Sequence, residues 1–158
     1  MSGPEGDDAS RSFRVLALEH TGLSVGSLKA ALPFWTDVLG FTLERRGEIA
    51  AGPFLGEVAG ARGHALRFAI LYGHGHTVEL TEYHNAPRDM VGGGVTAIGS
   101  AHLSFFVDDL DAALGAVSRH GYAPLGQPQT LTGGPRAGTR VIFIRNGDGT
   151  LLELKQPA

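Results

Sequence analysis

The sequence predicts an α+β fold made of two copies of one β-α-β-β-β module. Three observations carry that prediction. The stretch His20 to Leu32, HTGLSVGSLKAAL, matches His102 to Leu114, HLSFFVDDLDAAL. Gly73 to Leu80 matches Gly147 to Leu154 as G-x-G-x-x-[VL]-E-L, so both ends of each half agree in the same order. A period of half the chain is the mark of internal duplication, and each half also shows a β-rich run, a helical run and further β-rich runs between glycine turns.

The elements follow in order. Met1 to Arg14 is rich in Gly, Ser, Asp and Pro, lacks the apolar run of a secretory signal and is expected to be a disordered leader. Phe13 to Val25, rich in Val, Leu and Thr, suits a strand. Leu28, Ala31, Leu32, Trp35 and Leu39 recur at helical spacing before the stop at Gly40, with Pro33 inside the pattern. Phe41 to Glu44 reads as a strand, and Ile49 to Gly63 is Gly-rich and fits neither template. Leu66 to Tyr72 and Thr77 to Tyr83 form a hairpin across Gly73 to His76. The second half repeats the series: a strand over 101–107, a helix over 110–119 ending at Gly121, a strand near 122–125, then Arg140 to Arg145 and Thr150 to Lys155 around a turn at 146–149. The predicted organisation is a leader (1–14) and a single domain (15–158). That domain divides into module one (15–84), a flexible connector (85–99) and module two (100–157).

Composition narrows the function. With 158 residues and 42% hydrophobic content, one domain with a real core is expected. Thirteen Lys and Arg against sixteen Asp and Glu leave no basic field for a nucleic-acid backbone. No stretch approaches the roughly 20 apolar residues that span a bilayer, so a cytoplasmic protein without membrane partners is expected. The chain has no cysteine, so any metal site must be built from nitrogen and oxygen donors.

Each half opens on a histidine and closes on a glutamate. If the modules pair about a pseudo-twofold axis, His20 comes near His102 and Glu79 near Glu153. Two imidazoles and two carboxylates suit one borderline divalent ion, Ni, Co, Zn, Mn or Fe, with coordination positions left for substrate. The remaining histidines lack counterparts: His74 and His76 fall on a turn, and His64, His84 and His120 read as surface positions. Phe34 and Trp35 read as core, whereas Phe54, Leu55, Phe68, Tyr83 and Phe105 fit core or pocket wall equally. Arg62, Arg67 and Arg140 offer guanidinium forks for a carboxylate or phosphate. Neither G-x-G stretch is a nucleotide fingerprint, because each precedes a strand and opens no helix.

The segments EHTGLSVGSLKAALPFWTDVLGFTL, TVELTEY, AHLSFFVDDLDAAL and NGDGTLLELKQP resemble the vicinal oxygen chelate superfamily, which includes glyoxalase I, methylmalonyl-CoA epimerase, extradiol dioxygenases and bleomycin resistance proteins. The resemblance spans residues 15 to 157 and implies a paired, cupped mixed sheet with His20, Glu79, His102 and Glu153 at the four metal-ligand positions. The set His-Glu-His-Glu is similar to that of bacterial glyoxalase I, which implies an isomerase or lyase of glyoxalase or epimerase type. In such chemistry a substrate with adjacent oxygens chelates the metal, the enediolate or enolate is stabilised as its charge develops, and Glu153 or Glu79 moves the proton. It also implies a homodimer. The alternatives are a non-haem iron dioxygenase of the extradiol type and a metal-free antibiotic-binding or resistance protein. After Glu79-Leu80-Thr81 the chain reads Glu82-Tyr83-His84-Asn85, lacking the Asn-Trp-Gly segment that helps glyoxalase I hold glutathione.

Overall fold

A computed structural model describes residues 12–87 and 94–158; the expected leader therefore lies almost wholly outside the described residues, as does the middle of the expected connector. Module one comprises β1 (Thr21–Ser24), α1 (Leu28–Pro33) running into a π-helical turn (Phe34–Val38), β2 (Thr42–Ile49), α2 (Pro53–Ala59), β3 (Ala65–Gly73) and β4 (His76–His84). Module two comprises β5 (Leu103–Phe106), α3 (Leu110–Ser118), β6 (Ala123–Pro124), β7 (Gln129–Thr130), β8 (Arg140–Arg145) and β9 (Leu151–Gln156). Two mixed sheets result, ordered β1-β4-β3-β2 and β5-β9-β8-β6, with β7 beside β8. The α+β class is that read from the sequence, and the repeated β-α-β-β-β frame gains α2 in module one and the short β7 in module two. Among the described residues no helix is long and apolar enough to cross a membrane.

The duplication extends to capping. Ser27 and Asp109 occupy equivalent positions and accept from Ala30 N at 3.3 Å and Ala112 N at 2.9 Å, satisfying otherwise orphaned helix donors. The last strand of each module reaches the same helix start. Glu82 accepts from Leu28 N at 2.7 Å, and Gln156 accepts from Leu110 N at 3.0 Å. Each helix is thereby pinned to one face of its sheet.

Three local departures have physical causes. Of the expected strand Phe13 to Val25 only Thr21–Ser24 is paired, because the ladder with β4 begins at Thr21↔Val78. The expected helix over 28–39 changes geometry at Pro33, which has no N–H to donate; the chain leaves it through the wide bond Leu39 N to Phe34 O at 3.1 Å. The ambiguous stretch contains α2, started by Pro53 and ended at Gly60, whose φ of 68° suits glycine.

The helix-bearing faces of both sheets share one hydrophobic cluster. It includes Leu71, Val78 and Leu80 from module one, Ile144, Leu152 and Leu154 from module two, and Trp35 and Phe34 between them. Phe34 stacks on Tyr122 with ring centroids 4.1 Å apart, and Phe41 meets Phe105 edge-on at 6.2 Å. Burial pushes the Tyr122 hydroxyl pKa up, and that hydroxyl bonds to Thr150. The two modules are thus joined through their helices, leaving the opposite face of each sheet for other work.

Candidate metal centre

Alternation along the strands decides where the donors point. In β4, Val78 and Leu80 enter the core, so Glu79 and Thr81 face the other way. In β9, Leu152 and Leu154 enter the core and Glu153 lies on the opposite face. The parallel partner of Glu79 is Gly22 and that of Glu153 is Ser104. His20 and His102 each stand two residues before those partners and reach the same face. His20 Nε2 lies 3.1 Å from Glu79 Oε2, and His102 Nε2 lies 3.7 Å from Glu153 Oε2.

Donors about 2.1 Å from one ion, at angles between octahedral and tetrahedral, lie roughly 3.0–3.4 Å from each other. The His20–Glu79 spacing falls in that window, and the His102–Glu153 spacing is slightly wider. The Glu19 carboxylate can only accept, so His20 Nδ1 donates to it, and Nε2 is the ring nitrogen turned toward Glu79. The hydrogen bond to Glu19, with the charges of Glu19 and Glu79, raises the His20 pKa against a smaller opposing effect of desolvation. A side-chain carbon at Gly22 would stand 3.7 Å from His20 Nε2, so glycine keeps the space beside this donor open. The donor chemistry and spacing fit a borderline divalent ion.

The structure brings the four predicted residues together as two pairs. Among the described residues, no group of three or more His, Asp or Glu side chains is placed to hold an ion. The reason lies in the shared core: the helix-bearing faces are turned to one another, so the donor faces are not. The strands β1 and β5, which follow the two histidines, are both sheet edges.

Several residues not singled out from the sequence join this face. Glu19 orients His20. Lys155 places its ammonium 2.7 Å from Glu153 Oε2, and the signal for it was present, since a residue two after Glu153 on a strand shares its face. The Arg136 guanidinium lies 5.1 Å from the ring centre of Phe106, the register partner of Lys155. His74 is exposed on the turn, as expected, and donates to Leu39 O at 2.6 Å; His120 is exposed as well, whereas His76 opens β4 and bonds Thr21, and His64 and His84 are half-buried. Among the pocket-wall candidates Leu55 is core, Phe105 packs against the core, and Phe54 is exposed. Arg67 pairs with Glu48, Arg62 with Glu57 and Arg140 with Asp111.

A cavity of about 400 Å³ lies against α1, lined by Lys29, Arg46, Arg67 and Glu82, on the helix side of the sheet. One of about 300 Å³ lies between Gly22 and Ser24 of β1 and Asp148 and Thr150 of the second module. The larger cavity carries no metal-type donor set, and Glu82 is already committed to the helix start.

The family model described as the Glyoxalase/Bleomycin resistance protein/Dioxygenase superfamily matches residues 17–154. The chain is similar to a 2-epi-5-epi-valiolone epimerase of an Actinomyces species, with 32% identity over 149 residues covering 88% of this chain and 78% of the other. It is also similar to a probable lactoylglutathione lyase of Vibrio cholerae, 30% identical over 140 residues and covering 87% and 88% of the two chains. Among solved structures, a glyoxalase family protein from Bacillus cereus shares the fold with a TM-score of 0.74 at 24% identity, covering 94% of this chain and 99% of the other.

Proposed function

Because this chain belongs to the glyoxalase/bleomycin resistance protein/dioxygenase superfamily, we propose that it is a metal-dependent isomerase or lyase that moves a proton next to a carbonyl. The supporting observation is the twofold repetition of a His/Glu donor pair at equivalent register positions, with 3.1 Å and 3.7 Å spacings. Relatives named epimerase and lactoylglutathione lyase support the same class of chemistry. The residues 15–158 act as one vicinal oxygen chelate domain.

A second copy of the chain completes the donor set, so that His20 and Glu79 of one copy meet His102 and Glu153 of its partner. The edge positions of β1 and β5 support this arrangement. So does the segment leading into β1, where Phe13, Val15, Leu16 and Leu18 are 70–88% exposed and offer apolar area for a symmetric contact.

A divalent ion bound by these four residues supplies Lewis acidity to a substrate with two adjacent oxygens. Glu79 is the carboxylate that takes the proton from carbon and returns it, because its side chain is more exposed than that of Glu153, 24% against 11%, and lacks a lysine partner. Glu153, the less exposed of the two carboxylates, stays in place as a ligand.

A metal-free small-molecule binding protein is the second reading, favoured because the Lys155 ammonium lies nearer Glu153 than the His102 ring does, 2.7 Å against 3.7 Å. Elemental analysis of the purified protein separates the two readings. The expected result is one ion per chain, lost in Glu79→Gln and Glu153→Gln. Protein without stoichiometric metal, or variants that retain it unchanged, refutes the catalytic reading.

A further inference from the structure

The donor faces of the two modules agree at the histidines and glutamates and differ two residues beyond each glutamate. Module one carries Thr81 there, its hydroxyl bonded to Ser24 at 3.2 Å, and module two carries Lys155. The lysine side chain is only 20% exposed and its ammonium rests on Glu153 Oε2 at 2.7 Å. A charge count gives this pairing a consequence that deepens, and rests on, the proposed metal site. A divalent ion, two carboxylates and two neutral imidazoles sum to zero. Were Glu153 turned to such an ion, the half-buried Lys155 ammonium would lose its carboxylate partner and favour another anion in its place. Beside it, Arg136 lies over Phe106, and Phe106 is the register partner of Lys155, so a second cation and an aromatic wall border the same spot.

We propose that Lys155, assisted by Arg136, binds an oxyanion on the substrate outside the chelating pair of oxygens, so that the substrate is a small carboxylic or phosphorylated hydroxy- or oxo-compound. The equivalent position of module one holds a neutral threonine, and that face carries its cation on β2 instead, where Arg45 lies over the ring of Phe68, the register partner of Thr81. Lys155 is a specificity-determining residue that sets which end of the substrate faces module two.

The test uses matched pairs that share one ketol group and differ in charge: hydroxypyruvate against hydroxyacetone, and dihydroxyacetone phosphate against dihydroxyacetone. Calorimetric titration of full-length protein, metal-loaded and metal-free, reads binding without turnover. Wild type is expected to favour the anionic member of at least one pair by about tenfold or more, as a charge-assisted hydrogen bond supplies. The carboxylate pair and the phosphate pair distinguish the two sources of the oxyanion. Lys155→Met is expected to abolish the preference, keep its affinity for the neutral members, and bind metal at least as tightly because the competing ion pair is gone. Arg136→Met is expected to reduce the preference in part. Circular dichroism and Trp35 fluorescence verify the fold of each variant. A wild type without the preference, or a Lys155→Met protein that retains it, overturns the proposal. Absence of stoichiometric metal in wild type counts against the metal-site reading instead, and titration of the metal-free Glu153→Gln protein, in which Lys155 has lost its carboxylate partner, then decides the role of Lys155.

Discussion

The packing of the two modules through their helices is open to a quantitative test at Phe34. This ring is 2% exposed, stacks on Tyr122 at 4.1 Å with an interplanar angle of 21°, and meets Trp35 edge-on at 6.1 Å. Phe34→Ala removes a fully buried ring from the seam between modules, a change that costs about 3–5 kcal/mol in well-packed cores. Of that loss, the stack with Tyr122 accounts for roughly 0.5–1.5 kcal/mol. Urea denaturation followed by fluorescence of Trp35, the chain's one tryptophan, measures both. With a urea slope of about 2 kcal/mol/M, the midpoint is expected to fall by roughly 2 M. All variants are compared at one protein concentration, since the stability of the proposed dimer would depend on it. A double-mutant cycle of Phe34→Leu with Tyr122→Leu isolates the stack and is expected to give a coupling of about 0.5–1.5 kcal/mol. A coupling near zero, or a Phe34→Ala loss below about 1 kcal/mol, would refute the shared core and with it the reason why the four donors divide into two pairs.

Other perturbations follow from particular contacts. Gly47→Ala places a carbon 2.3 Å from the Phe68 ring, so the ring must move; a loss of about 1–3 kcal/mol in urea denaturation is expected, and no loss means that the ring does not lie over this glycine. The Arg140 guanidinium makes two bonds to Asp111 and holds its carboxyl below its ordinary pKa. That contribution to stability is complete above the ordinary carboxylate range and is lost as pH falls through the lowered native value. Thermal midpoints of wild type and Asp111→Asn should therefore differ slightly at neutral pH and low salt and converge in acid, and a gap that widens in acid contradicts the assignment. Leu16→Asp with Leu18→Asp should shift the protein toward monomer in sedimentation without altering circular dichroism. An unchanged molecular mass argues against the apolar lead-in as part of the contact between copies.

What the sequence could reveal was set by the kind of information that duplication carries. Repetition identifies equivalent residues, so His20 with His102, Glu79 with Glu153 and the two modules were legible directly. It does not identify the operation that relates the modules in space. That depends on which faces share a core, and Val78, Leu80, Leu152 and Leu154 settle it by entering one cluster. The expected strand from Phe13 was apolar enough, but strands form only opposite a partner, and β4 does not pair with β1 before Thr21. The geometry past Pro33 depends on bonds no composition announces, whereas α2 had its signals in Pro53 and Gly60, overlooked amid the surrounding glycines.

The repeat also separates two kinds of functional residue. Where the halves agree in role, they supply what any pseudo-symmetric site needs from both sides: a histidine, a glutamate, a helix N-cap at Ser27 and Asp109, and a strand residue at Glu82 and Gln156 reaching the helix start. Where they differ on the faces that carry His20, Glu79, His102 and Glu153, the difference would act, at the proposed site, on something asymmetric. Gly22 against Ser104, Ser24 against Phe106 and Thr81 against Lys155 are those positions, and together they give module two more bulk and a cation. At the proposed site a ligand would meet a lysine beside the glutamate of module two and a threonine at the same place in module one, whose own cation, Arg45, lies over Phe68. The proposed donors are thus the residues that symmetry repeats, and the search for the substrate belongs at the places where symmetry fails.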